Sequence, residues 1–211
     1  MPAREADIRY PLGLPHPQVR QYALGAPPGR ALDLGAGEGR ESLYLAQLGF
    51  EVDAVDNASR PLVAKEDVLA KLAAEARRRN LPIRTWMADF LQFDIGVERY
   101  ALILALYSLH FDQAAFPEMV RRVQQALVPG GRLILALLTR LVRMTDETTE
   151  AQVRSAPSHF QPDTTEGVLA LFPGYHVQHA ADHVIWDRGG HPDAEYPHAH
   201  TVLDLVLDKP L

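Results

Sequence analysis

A chain of 211 residues, 47% of them hydrophobic, can bury one good core and leaves little room for a second domain. Without cysteine it has no disulfide, no thiolate metal site and no thiol nucleophile, which fits a reducing cytoplasm; no apolar stretch approaches about 18 residues and no hydrophobic signal core opens the chain, so a soluble protein with no membrane partner is expected. A formal net charge of −6 opposes a nucleic-acid partner, because an acidic surface repels a phosphate backbone.

The first 29 residues hold six of the 16 prolines, which rules out a long helix there, although Gln18 to Leu24 can form a short one. We read 1–29 as an arm laid across the mouth of the site built by the following strands, with Tyr10 its candidate ligand contact; a disordered terminus is the alternative.

Residues 31–40, Ala-Leu-Asp-Leu-Gly-Ala-Gly-Glu-Gly-Arg, run an apolar strand into an acid and three alternating glycines. Gly35, Gly37 and Gly39 can take positive φ and let a ligand lie against bare backbone, and the amphipathic stretch Arg40 to Leu48 brings helix N–H donors beside it. This is a cofactor loop. Its spacing departs from the dinucleotide fingerprint, whose third small residue would fall where Arg40 stands.

A second strand, Phe50 to Val55, ends in Asp56. That acid lies about 20 residues past the first glycine, where a carboxylate can accept ribose hydroxyls; the competing reading is a turn or N-cap residue before Pro61. A helix from Arg60 to Arg79 carries three arginines in its last turn, favourable charges for a helix C-terminus and the preferred reading over an RNA-binding patch. Ile83 to Met87 is the third strand, followed by Ala88-Asp89-Phe90, where Asp89 alone reads as a turn former.

Ala101 to Leu109 is a nearly continuous apolar run, as expected of a parallel strand buried on both faces. A helix over Gln113 to Leu127 follows, with Phe116, Met119, Val120, Val123 and Leu127 at three-and-four spacing. Val128-Pro129-Gly130-Gly131 turns into another buried strand, Arg132 to Leu138. Strand alternating with helix predicts a doubly wound, mostly parallel α/β sheet.

Thr139 to Phe160 breaks this rhythm and reads as a lid-like insertion over the strand ends, where an acceptor would be selected. A short helix from Gln161 to about Phe172 and two strands, Tyr175 to Trp186 and Ala199 to Leu207, form a terminal antiparallel hairpin turning around Asp187 to Gly190. Six of the nine histidines fall here, but turns scatter them and no helical i, i+4 pair forms, so exposed strand and loop residues are expected and no metal.

The Asp-x-Gly-x-Gly-x-Gly arrangement from Asp33 resembles motif I of class I S-adenosylmethionine-dependent methyltransferases, and Leu127-Val-Pro-Gly-Gly-Arg-Leu-Ile-Leu135 resembles the turn before their fifth strand. Gly39-Arg-Glu-Ser-Leu-Tyr-Leu-Ala46 with Leu48 to Asp56 is similar to the tellurite-resistance (TehB-like) branch, although Ala36 and Glu38 stand where Cys and Asn or Thr are common. The resemblance is specific in 31–56, moderate in 86–111 and 127–138, and thin at both ends.

It implies the seven-stranded Rossmann-like sheet with a C-terminal antiparallel hairpin, in one domain over 30–211. It also implies S-adenosylmethionine as cofactor, S-adenosylhomocysteine as product, and a small-molecule acceptor methylated on O, N, S or a chalcogen oxyanion. The loop Gly35, Ala36, Gly37 and Gly39 with Asp33 would wrap the methionine part. Asp56 and Asn57 would hold the ribose, Asp89 and the Phe90 N–H the adenine, and Leu106 the adjoining wall. Tyr107 and His110 follow the fourth strand as candidate catalytic groups, His110 either as a base or as a positioning residue. Leu106 to Phe111 lacks the Asn/Asp-Pro-Pro-Tyr of base-methylating enzymes, which argues against nucleic-acid methylation. An NAD-dependent oxidoreductase and a non-catalytic cofactor-binding module are the alternatives.

Overall fold

The computed structural model of the chain describes residues 12–56, 65–109, 113–188 and 196–211. In chain order the elements are α1 (Pro17–Tyr22), β1 (Arg30–Leu34), α2 (Arg40–Gln47), β2 (Glu51–Asp56), α3 (Lys65–Arg79), β3 (Ile83–Met87), β4 (Tyr100–Leu106), α4 (Phe116–Ala126), β5 (Leu127–Arg143), α5 (Glu150–Ser155), α6 (Thr165–Leu169), β6 (His176–Asp187) and β7 (His198–Asp208). The seven strands form one sheet in the order β3-β2-β1-β4-β5-β7-β6. The first five run parallel, and β7 is antiparallel to both of its neighbours. This is the doubly wound, seven-stranded sheet with a C-terminal hairpin.

The strand pattern explains why both faces are covered. Successive strand residues point to opposite faces, so Leu32, Leu34, Ile103 and Ala105 enter one core with Phe116, Met119 and Val123 of α4. Their neighbours Ala31, Leu102 and Leu104 enter a second core with Val19 of α1 and Tyr44 and Leu45 of α2. Near the amino ends, the fully buried carboxylate of Asp53 ties four strands together. It accepts from Arg30 at 2.7 Å, from Arg84 at 2.8 Å and from the Tyr100 hydroxyl at 2.9 Å.

Three expectations need correction. The fifth strand does not stop at Leu138: residues 139–143 continue it, because β7 pairs with them as far as Arg143↔His198. The insertion expected over 139–160 is therefore strand at its start and packed at its end. Val153 and Phe160 are fully buried, the Phe160 ring meets Phe116 edge to face at 4.6 Å, and the His159 N–H donates to the Thr139 carbonyl at 3.1 Å. Residues 144–149, between β5 and α5, and 156–160, after α5, lack regular structure. The expected turn at Val128 to Gly131 is a bulge inside β5, where pairing with β4 jumps from Tyr100↔Leu127 to Leu102↔Arg132 and Gly130 takes φ +72°.

The helix expected over Arg60 to Arg79 is described from Lys65, and the hairpin turn expected around Asp187 to Gly190 extends outside the described residues. No helix among the described residues is long and apolar enough to cross a membrane.

Candidate functional site

In an open parallel sheet, ligands bind outside the carboxyl ends of the strands where the strand order reverses. Here that point lies between β1 and β4. A cleft of about 280 Å³ opens there, lined by Leu12, Asp33, Gly35, Ala36, Gly37, Glu38, Arg40, Glu41, Leu106 and Tyr107.

The glycine loop builds the floor of this cleft, and each glycine has its own reason. All three take positive φ: +85° at Gly35, +50° at Gly37 and +83° at Gly39. A Cβ on Gly35 would lie 2.5 Å from the Ser108 Cβ, and one on Gly39 would lie 2.3 Å from Leu72, whereas one on Gly37 would meet nothing within 4 Å. Gly35 and Gly39 thus let the loop pack against the segment after β4 and against α3, while Gly37 leaves bare backbone facing open space. The N–H groups of Gly35 and Ala36 both donate to the Val55 carbonyl, at 2.8 and 3.1 Å, and that of Gly37 donates to Asp56 Oδ2 at 2.7 Å. The loop after β1 is therefore fastened to the end of β2.

Two acids behind the floor are buried. Asp33 is 3% exposed and accepts a 2.6 Å hydrogen bond from the Ser42 hydroxyl in α2. Burial pushes its carboxyl up to about 7, helped by the charges of Glu41 and Asp56 and opposed by the Ser42 bond. Asp56 is also buried. Glu41 sits beside them, its Oε1 2.7 Å from Arg40 and accepting from the His16 backbone N–H at 3.1 Å.

Among the residues singled out from the sequence, Asp33, Gly35, Ala36, Gly37, Leu106 and Tyr107 line this cleft, Gly39 caps α2 beneath it, and Asp56 joins through Gly37. Asp89 and Phe90 are not among its lining residues. Asp89 holds a turn, accepting from the Leu91 N–H at 2.7 Å. It stands one strand over from Asp56, whose carbonyl accepts from the Ala88 N–H at 3.0 Å. Arg122 of α4 donates to the carbonyls of Phe90 and Phe93 and so fixes this loop. Tyr10, Asn57 and His110 lie outside the described residues.

Sequence reasoning missed Leu12, Glu38, Arg40 and Glu41 as lining groups, and His16 altogether. Leu12, ahead of β1, lines the cleft. Nothing local marks His16: its nearest partners are Tyr107 and Glu41, both remote in sequence. The terminal histidines lie along β6 (His176, His179, His183) and β7 (His198, His200). Among the described residues no group of three or more metal-ligating side chains comes together.

With this geometry in place, the likeness to known proteins can be read. The sequence profile of the family described as "Tellurite resistance protein TehB" matches residues 6–146. "Hemagglutinin 1" of Eikenella corrodens is 31% identical over 117 residues, which is 55% of this chain and 36% of that protein. "Probable S-adenosyl-L-methionine-dependent methyltransferase TehB" of Haemophilus influenzae (strain 10810) is 27% identical over 132 residues, 62% of this chain and 44% of that protein. The match thus spans less than half the length of these curated relatives. Among solved structures, TehB from Haemophilus influenzae superposes with a TM-score of 0.68 at 19% identity over 92% of this chain and 62% of that one. Burkholderia thailandensis 1,6-didemethyltoxoflavin-N1-methyltransferase, solved with 1,6-didemethyltoxoflavin and S-adenosylhomocysteine bound, superposes with a TM-score of 0.59 at 24% identity over 93% of this chain and 78% of that one. At these identities the structural likeness shows the shared fold.

Proposed function

The chain belongs to the TehB tellurite-resistance family, and from that premise we propose that it is an S-adenosylmethionine-dependent methyltransferase acting on a small-molecule acceptor. One observation carries the reading: the cleft at the reversal of strand order has a floor of bare glycine backbone, with the buried acids Asp33 and Asp56 directly behind it. A dinucleotide would instead need a small residue where Arg40 stands.

The residues fit such a cofactor. In this reading Gly35, Ala36 and Gly37 lie along its methionine part, with Asp33 below and Gly39 shaping the turn into α2. Asp56 and Asn57 take the ribose hydroxyls, and Asp89 with the Phe90 N–H takes the adenine. Bound there, S-adenosylmethionine would supply an electrophilic methyl group on a sulfonium sulfur. The chain's part is to align an acceptor atom with that methyl and to exclude water. Alignment alone accounts for much of the acceleration in such transfers. Leu106 and Tyr107 form the wall on the β4 side of the cleft, and His110 follows three residues later as a candidate base.

The acceptor atom is O, N, S or a chalcogen oxyanion, and no nucleic acid is involved. Turnover on a panel of small phenols, amines, thiols and tellurite, read as S-adenosylhomocysteine formed, tests this. Product above the acceptor-free rate with at least one member is the expected result; none with any member would favour a binding module without catalysis.

A further inference from the structure

Behind the wall that Tyr107 gives the cleft, four side chains from four separate segments meet in a line. Tyr107 takes φ +55°, a left-handed conformation that a bulky residue adopts only where its surroundings impose it. Its hydroxyl lies 3.0 Å from His16 Nε2, and the two rings meet edge to face at 5.6 Å. His16, just ahead of α1, is buried and held in place by its own N–H on Glu41. Beyond it, Nε2 is 3.8 Å from Asp204 Oδ1 in β7. Asp204 Oδ2 is 3.6 Å from Nδ1 of His183 in β6, a side chain 44% exposed. The line therefore runs from the cleft to solvent.

Burial acts on every inner group of this line, and it pushes the Tyr107 hydroxyl above the usual phenol range. His16 is held below the usual histidine range, by burial first, with Arg40 and His183 acting the same way and Asp204 and Glu41 opposing. Asp204 is pushed up by burial against the pull of His16, His183 and His179. Asp204 Oδ1 and His16 Nδ1 are each buried with no hydrogen-bond partner among the described residues. An unpaired buried oxygen is destabilising, and this one faces the ring that would become cationic.

We propose that Tyr107, His16, Asp204 and His183 form a proton path out of the cleft, so that the acceptor is one arriving with a proton on its nucleophilic atom: a hydroxyl, amine or thiol rather than an oxyanion. This rests on the cleft's assignment to S-adenosylmethionine and narrows the acceptor class. As the acceptor atom X forms its bond to the methyl carbon and the carbon–sulfur bond breaks with its electron pair left on sulfur, the X–H bond breaks with its pair left on X. That proton passes to Tyr107 Oη, and the Tyr107 hydroxyl proton passes to His16 Nε2. The positive charge lost at sulfur appears on the His16 imidazolium, facing Asp204. The proton then leaves through Asp204 and His183, across gaps that small movements close.

The test of the path itself needs no acceptor. Nitrogen-15 NMR of histidine-labelled protein at pH 7, with and without S-adenosylhomocysteine, reads the His16 ring, assigned by its loss in His16→Gln. The expected result is a neutral ring with the proton on Nδ1 and a bare Nε2. Tyr107→Phe should shift the Nε2 resonance, and Asp204→Asn should lower the pH midpoint of His16. A neutral ring protonated on Nε2, or an imidazolium at pH 7, could not receive a proton from Tyr107 and would overturn the path. Turnover of tellurite that His16→Gln leaves unchanged, with no thiol, phenol or amine methylated, would overturn the acceptor class. Calorimetry with S-adenosylhomocysteine on the same samples shows separately whether the cleft assignment itself has failed.

Discussion

The carboxylate of Asp56 accepts a 2.7 Å hydrogen bond from the backbone N–H of Gly37, so the acid that ends β2 and the loop that follows β1 form one unit before any ligand arrives. Asp56→Ala should remove that brace together with charged hydrogen bonds to a ribose worth about 1.5–3 kcal/mol. S-adenosylhomocysteine affinity should fall roughly 10- to 100-fold. Unchanged affinity in a folded variant, measured by calorimetry, would mean that the ribose lies elsewhere.

Gly35 should not tolerate a side chain. Its φ of +85° and the 2.5 Å approach of a Cβ to the Ser108 Cβ both oppose Gly35→Ala. Ser108 is not free to yield, since its hydroxyl donates to the Leu34 carbonyl at 2.7 Å. Strain and overpacking together should cost about 2–4 kcal/mol, seen as a lower unfolding midpoint in urea. A midpoint equal to that of the parent would contradict the close packing of the loop on the segment after β4.

The Asp33 carboxyl gives the protein a pH dependence of known sign. It titrates at about 7 when folded, against 3.8 for an unperturbed carboxyl. Between those values the folded state holds a proton that the unfolded chain has released. This contribution to stability is full below about pH 4, is lost as pH rises toward about 7, and changes no further above that. Asp33→Asn, which keeps an oxygen for Ser42, should flatten that part of the stability profile and melt above the parent at about pH 8. Parallel profiles in scanning calorimetry would contradict the burial of an ionisable Asp33.

The segment after β5 should divide sharply. Phe160, fully buried and packed edge to face on Phe116, should cost about 3–5 kcal/mol on truncation to Ala. Replacing 144–149 with Gly and Ser should leave the fold and cofactor affinity nearly intact. If this stretch closes over the acceptor, turnover should drop while S-adenosylhomocysteine binding does not. Loss of binding in a folded variant would place the stretch in the cofactor site.

These contrasts show what the chain declares locally and what it does not. β4 was legible nearly in full because a parallel strand buried on both faces reads as an apolar run; β3, read to the residue, is instead a partly exposed edge strand whose Ile83, Thr85 and Trp86 favour extended backbone. Asp56 was legible because it ends β2, and Asp33 because it stands one residue before the end of the apolar run of β1. Residues 139–143 were not, since Thr139, Arg140 and Arg143 look like loop and are held as strand by β7, far along the chain. α5 did carry a signal: Thr149 and Gln152 form a reciprocal capping box, and that spacing stands in the sequence. His16 carried none, because its environment is assembled from Glu41, Tyr107 and Asp204, which only the folded chain brings together.

The central claim is that the cleft between β1 and β4 holds S-adenosylmethionine rather than a dinucleotide. Isothermal titration calorimetry of the purified chain with S-adenosylhomocysteine and, separately, with NAD tests it most directly. The expected result is micromolar binding of S-adenosylhomocysteine, about −8 kcal/mol, weakened by Asp56→Ala, with no heat of binding from NAD. Binding of NAD with equal or greater affinity, or no binding of S-adenosylhomocysteine to folded protein, would contradict it.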